Sequence, residues 1–171
     1  MHEQAQPISV SPAQAVRGEL AIPGDKSISH RSIMLGALAQ GTSRITNFLR
    51  GEDNFSTMKA FRARGVLIED DGQTIIVHGV GLHGLKEPGN VLDCGNSGTT
   101  IRLMTGLLSG QSFFSVLTGD QYLRKRPMKR VVEPLARMGA QIAGRGGGTL
   151  APLAITGASL AGIDYQSPIA S

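Results

Sequence analysis

The sequence predicts an α/β fold of mixed (α+β) order, in which one β-α-β-α-β-β plan is used about twice and begun a third time. Three observations predict it. Apolar residues recur at helical spacing in four stretches. Glycines 65 and 139 stop two of those helices 74 positions apart, with matching apolar neighbours (Phe61 with Leu135, Ile68 with Ile142). Each stop is followed by two short apolar runs around a glycine-containing turn, which is the pattern of a hairpin.

Taken in order, Pro23-Gly24 breaks the chain, and Ile33, Met34, Leu35, Ala37 and Leu38 mark a helix from about Ser29 to Ala39. Gly51-Glu52-Asp53 opens a second helix through Met58, Phe61 and Ala63. Val66-Leu67-Ile68, the turn Asp70-Asp71-Gly72 and the run Thr74 to Val77 make the first hairpin. A third helix spans Thr99 to Leu108, with Ser97 or Thr99 as its cap. Gly119-Asp120 precedes a fourth through Val131, Val132, Leu135 and Met138. Ala140-Gln141-Ile142, the turn Gly144 to Gly148 and Leu153 to Ile155 close the second hairpin. The units therefore span about 20–85 and 90–157, with a third begun near 163 and residues 1–16 as a lead-in.

The chain has 171 residues, 40% of them hydrophobic and 18% charged, enough for a packed core and too few for two large domains. A net charge of +4 favours acidic partners. Basic residues interleaved with aromatic ones, the mark of base stacking, are lacking apart from Tyr122, so small anions are expected rather than nucleic acid. Cys94 is the single cysteine, which excludes an internal disulfide and fits a reducing, cytoplasmic setting. No apolar run approaches the roughly 20 residues needed to span a bilayer, and residues 1–16 do not resemble a signal or transit peptide. His2, His30, His78 and His83 are not spaced as metal ligands, and Cys94 reads as a buried thiol.

Three segments carry chemistry. Pro23-Gly24-Asp25-Lys26-Ser27-Ile28-Ser29-His30-Arg31 places two cations and a hydroxyl where a helix begins. Unpaired N–H groups and the helix dipole favour an anion there, and cations at that pole are unfavourable unless an anion compensates them. Asp93 to Arg102 sets Gly95 and Gly98 around small polar residues just before a helix, so the backbone can approach a ligand closely; the spacing is not that of a Walker loop. Arg124-Lys125-Arg126-Pro127-Met128-Lys129-Arg130 puts five cations in seven positions; with Pro127 as the first helical residue, Arg126 becomes the cap.

The first string closely resembles the N-terminal signature of the 5-enolpyruvylshikimate-3-phosphate synthases, within the enolpyruvyl transferase family. Asn96 to Arg102 and Leu117-Thr118-Gly119-Asp120 with Arg126-Pro127 resemble two further segments of that family, in the family's order, so the likeness covers nearly all of residues 20–171. It implies an enolpyruvyl transferase-type lobe made of repeated βαβαββ units, with substrates in a cleft against a second lobe and residues 1–16 leading in from that lobe.

It further implies transfer of the enolpyruvyl group of phosphoenolpyruvate to the 5-hydroxyl of shikimate 3-phosphate, on the path to aromatic amino acids, by a cytoplasmic monomer with no cofactor and no metal. Lys26, Ser27, Arg31 and Ser171 would bind shikimate 3-phosphate; Lys26, Gly98 and Arg126 would bind phosphoenolpyruvate. No catalytic residue is assigned within this chain, because the family's acidic proton-transfer groups lie in the other lobe. The chain therefore reads as an N-terminal fragment, inactive alone, whose partner is the missing C-terminal part. Glyphosate-tolerant members carry alanine at the Gly98 position, so a sensitive enzyme is implied. Two alternatives stand beside this: a UDP-N-acetylglucosamine enolpyruvyl transferase, and a noncatalytic polyanion-binding module resting on the 124–130 run.

Overall fold

In the computed structural model, residues 8–168 are described, and they form two consecutive αβ units over one continuous core. Unit one comprises α1 (Lys26–Leu38), β1 (Gln40–Thr46), α2 (Glu52–Arg62), β2 (Leu67–Asp70) and β3 (Thr74–Val80). Its three strands lie in the order β1-β3-β2, both pairs antiparallel. Unit two comprises β4 (Leu92–Asp93), α3 (Gly98–Ser109), β5 (Phe114–Thr118), α4 (Lys129–Arg137), β6 (Gln141–Gly144) and β7 (Leu150–Thr156). Its sheet runs β4-β5-β7-β6, with β4 parallel to β5 and the other pairs antiparallel.

The repeat is visible in hydrogen bonds. At the end of α2 the Val66 amide donates to Phe61 O (3.3 Å), and at the end of α4 the Ala140 amide donates to Leu135 O (2.9 Å). Both closures need a left-handed residue between, and Gly65 (φ +83°) and Gly139 (φ +100°) supply it. The hairpin turns also stand where expected. Asp71 Oδ1 accepts from the Gln73 and Thr74 amides (2.8 and 2.6 Å) in the first, and Gly146, Gly147 and Gly148 all take positive φ in the second. Phe61, Ile33 and Ile75 of unit one, and Ile101, Met104, Leu108, Leu117 and Leu153 of unit two, are completely buried in the same core.

Two expectations are corrected. Unit one has no leading strand: residues 8–25 form none, and Ile8, Val10, Val16, Leu20 and Ile22 stay 68–93% exposed. In unit two that strand, β4, is fastened by a parallel pairing to β5 and buries Leu92; Leu20 and Ile22 find no apolar surface of this kind. Residues 157–168, where a third unit is expected to begin, contain no strand of their own. Nor is Pro127 the first residue of α4. Met128, 1% exposed and tied by its amide to Thr149 O (2.8 Å), takes the cap, so the helix begins at Lys129. Arg126 instead closes the 3-10 turn Leu123–Lys125 in an extended conformation.

Arg64 was not singled out by sequence, yet it is completely buried after α2. One nitrogen, Nη1, donates a long bond to Lys86 O (3.4 Å), Nε and Nη2 have no partner, and the guanidinium lies 5.2 Å over the Phe113 ring. Burial pulls its pKa down to about 10. A buried charge with no carboxylate is costly. Arg64→Met keeps the length of the side chain without the charge, and urea melts are expected to show it more stable by about 1–3 kcal/mol; a lower midpoint would mean that the contact with Phe113 outweighs desolvation.

Candidate anion site

Three helix starts meet on one side of the fold. At α1, Asp25 caps the helix, its Oδ1 accepting from the Ile28 amide (2.7 Å), while the Leu49 amide donates to Ser29 Oγ (2.9 Å). The start of α2 holds both neighbours. Asp53 forms an ion pair with Lys26, Asn54 Nδ2 donates to Lys26 O (3.0 Å), and Thr100 Oγ1 of α3 donates to Asp53 O (3.2 Å). At α3, Ser97 is the cap, accepting from the Thr100 amide (3.1 Å).

Gly98, the first residue of α3, lies under two guanidinium groups. A Cβ built there falls 2.6 Å from Arg102 Nη1 and 2.9 Å from Arg126 Nη1. Arg126 Nη2 donates to Asn96 Oδ1, and Asn96 Nδ2 donates to Asp120 Oδ2 (2.7 Å). Asp120 is itself fixed by the Leu123 and Tyr122 amides (2.7 and 2.9 Å), which together with Asn96 hold its carboxyl below the usual range, the Leu123 bond most strongly. Arg102 donates to Gly98 O (3.2 Å) and Pro127 O (3.4 Å), so it ties the Gly98 turn to the segment carrying Arg126.

The electrostatics are one-sided. No acidic residue occupies the first turn of α1, α3 or α4, and among the described residues Arg31, Arg102, Arg126 and Arg130 have no carboxylate partner within 4.0 Å. Partial burial, and after it the nearby Arg130 and Arg126 charges, lower the pKa of Arg102. A cavity of about 700 Å³, lined in part by Arg102, Pro127, Lys129, Arg130 and Tyr165, opens beside this cluster. Helix N-termini and unneutralised cations gathered in this way favour an oxyanion.

Of the residues singled out from sequence, Lys26, Ser27 and Gly98 lie in the first turns of helices that α2 joins, and Arg126 reaches Gly98. Arg31 is exposed, one turn further along α1. Ser171 lies outside the described residues. Arg102, Asn96, Asp120 and Asp53 were missed as site residues, although Arg102 follows Gly98 by four positions, one turn along the same helical face. Cys94 is completely buried, and burial raises its thiol to about 12, as befits a packing residue rather than a nucleophile. Among the described residues, no cluster of three metal-ligating side chains occurs and no helix is long and apolar enough to cross a membrane.

The sequence profile of EPSP synthase (3-phosphoshikimate 1-carboxyvinyltransferase) matches residues 10–171. The 3-phosphoshikimate 1-carboxyvinyltransferase of Pelobacter propionicus is 69% identical over 164 residues, covering 96% of this chain and 38% of that protein. The Geobacter sulfurreducens protein of the same name is 63% identical, with the same coverage. A solved EPSP synthase from Acinetobacter baumannii superposes with a TM-score of 0.86 at 53% identity, over 90% of this chain and 35% of that one. The chain thus spans about 38% of the length of these curated relatives. These names do not favour the UDP-N-acetylglucosamine transferase or the polyanion-binding alternative. With the profile matching all but the first nine residues and the fold shared at 53% identity, the chain belongs to the EPSP synthase (3-phosphoshikimate 1-carboxyvinyltransferase) family.

Proposed function

We propose that this chain supplies an anion-binding part of an enzyme that transfers the enolpyruvyl group of phosphoenolpyruvate to the 5-hydroxyl of shikimate 3-phosphate and releases phosphate. The observation that carries the reading is the union of three helix starts with Lys26, Arg102 and Arg126, where neither arginine has an ion pair within 4.0 Å among the described residues. Both substrates are small polyanions, which is what such a site attracts.

Lys26, between the α1 and α2 starts, contacts both substrates in this reading. Ser27, Arg31 and Ser171 hold shikimate 3-phosphate, while the Gly98 backbone and Arg126 hold phosphoenolpyruvate. When the 5-hydroxyl oxygen adds to C2 of the protonated enol, a tetrahedral phosphate-bearing intermediate forms; it then loses phosphate and a proton to give the enol ether. Preorganised cations stabilise the charge on that intermediate without reorganising during the reaction. The proton-transfer groups belong to the remainder of the enzyme. Residues 17–171 fit two units and the start of a third in one lobe, and 1–16 a lead-in from the other, acting together as a cytoplasmic monomer.

The test is a chimera in which this chain replaces the matching segment of the Pelobacter propionicus relative. It is expected to release phosphate only when both substrates are present and to be inhibited by glyphosate, while the chain by itself turns nothing over. A well-folded chimera with no turnover overturns the reading; turnover by the chain alone overturns the division between two lobes.

A further inference from the structure

Beneath the candidate site runs a chain of side-chain hydrogen bonds that none of the proposed binding roles uses. His30 Nδ1 and Thr57 Oγ1 are 2.7 Å apart, Thr57 Oγ1 and Thr100 Oγ1 2.8 Å, and Thr100 Oγ1 and Ser97 Oγ 2.7 Å. Ser97, Thr57, Thr100 and His30 are all fully buried. They come from α1, α2, α3 and the cap of α3, so the chain crosses all three helix starts.

The bonds have one direction. The Thr100 hydroxyl has one proton, directed to Ser97 Oγ (2.7 Å) or to Asp53 O (3.2 Å), and it is the donor in either case. Thr57 must then donate to Thr100, and His30 must donate to Thr57 from Nδ1–H. In neutral His30 this leaves Nε2 as a bare acceptor, and Nε2 is indeed buried without a partner. Each group in such a chain polarises the next, and in a dry interior the arrangement has few alternatives. Its far end lies at Asp53, whose carboxylate holds Lys26, and at Ser97, next to Gly98.

We infer that the His30–Thr57–Thr100–Ser97 chain is a positioning device that sets the first turn of α3, and with it Gly98, at a fixed distance from Lys26. The inference rests on the function proposed above. The four are positioning residues, since all are fully buried and none is exposed to a bound ligand. The start of α1 has other ties to its surroundings, through Asn54 and Leu49, whereas Thr100 is the side chain that links the first turn of α3 to α2, through Thr57 Oγ1 at 2.8 Å and more weakly through Asp53 O at 3.2 Å. Cutting the chain therefore moves the phosphoenolpyruvate side of the site and spares the shikimate 3-phosphate side.

The experiment is Thr57→Val in the chimera, with Thr57→Ser as the variant that keeps the hydroxyl. Thr57→Val is expected to raise KM for phosphoenolpyruvate roughly tenfold, from the loss of a buried hydrogen-bonded hydroxyl, and to leave KM for shikimate 3-phosphate within about twofold; Thr57→Ser returns both to the parent values. Nitrogen NMR should show His30 as the Nδ1–H tautomer in the parent and lose that fixed tautomer in Thr57→Val. Should Thr57→Val not fold, Thr100→Val cuts the chain one link further on and is judged by the same split. Unchanged KM values, or both rising together, overturn the inference while the chimera's own turnover keeps the functional reading intact. A parent chimera without turnover removes both.

Discussion

Arg126→Ala is expected to lower kcat/KM for phosphoenolpyruvate by about 10²–10³-fold, the usual cost of removing one preorganised donor from a site where charge develops. The size follows from how firmly the guanidinium is held. Asn96 takes one nitrogen, Asp120 holds Asn96, and two backbone amides hold Asp120, so the group does not reorganise to meet its ligand. The fold should not suffer, because Arg126 has no ion pair within 4.0 Å among the described residues and stands beside the Arg102 guanidinium. Steady-state phosphate release by the chimera, with each substrate varied in turn, gives the answer. KM for shikimate 3-phosphate should stay within about twofold, and equal loss toward both substrates would remove Arg126 from the phosphoenolpyruvate side.

Lys26→Ala should do more damage and of a different kind. Its ammonium is half exposed and paired with Asp53, and surface pairs of this type contribute only about 0–1 kcal/mol to stability. Melting should therefore change little. Activity should fall by at least about 10²–10³-fold, because the substitution removes a cation and also leaves the Asp53 carboxylate bare beside two incoming polyanions. Both KM values should rise, in contrast to Arg126→Ala. A defect toward one substrate alone would show that Lys26 does not stand between the two.

Much of this arrangement is legible in the sequence, because local rules write it there. Gly65 and Gly139 announce left-handed helix stops, Asp70-Asp71-Gly72 announces a turn, and small polar residues before Thr99 announce a capped helix, with Ser97 as the one that caps. Errors arise where a distant partner decides. Pro127 has the right chemistry to open a helix, but the burial of Met128 against the start of β7 moves that opening two residues on. Leu20 and Ile22 have a strand-like pattern, but a strand needs an edge to lie on, and none among the described residues receives them. The bonds from Asp53 to Lys26 and Thr100 join positions 27 and 47 apart, and no spacing in the sequence reveals them.

Ile8, Val10, Val16, Leu20 and Ile22 all fall on even positions, so an extended ribbon through them would present its greasy side chains along one flank. A row of exposed apolar side chains is adhesive. In a concentrated solution of the chain by itself, copies would meet along that flank, and the stickiness would belong to the ribbon rather than to the well-packed body behind it.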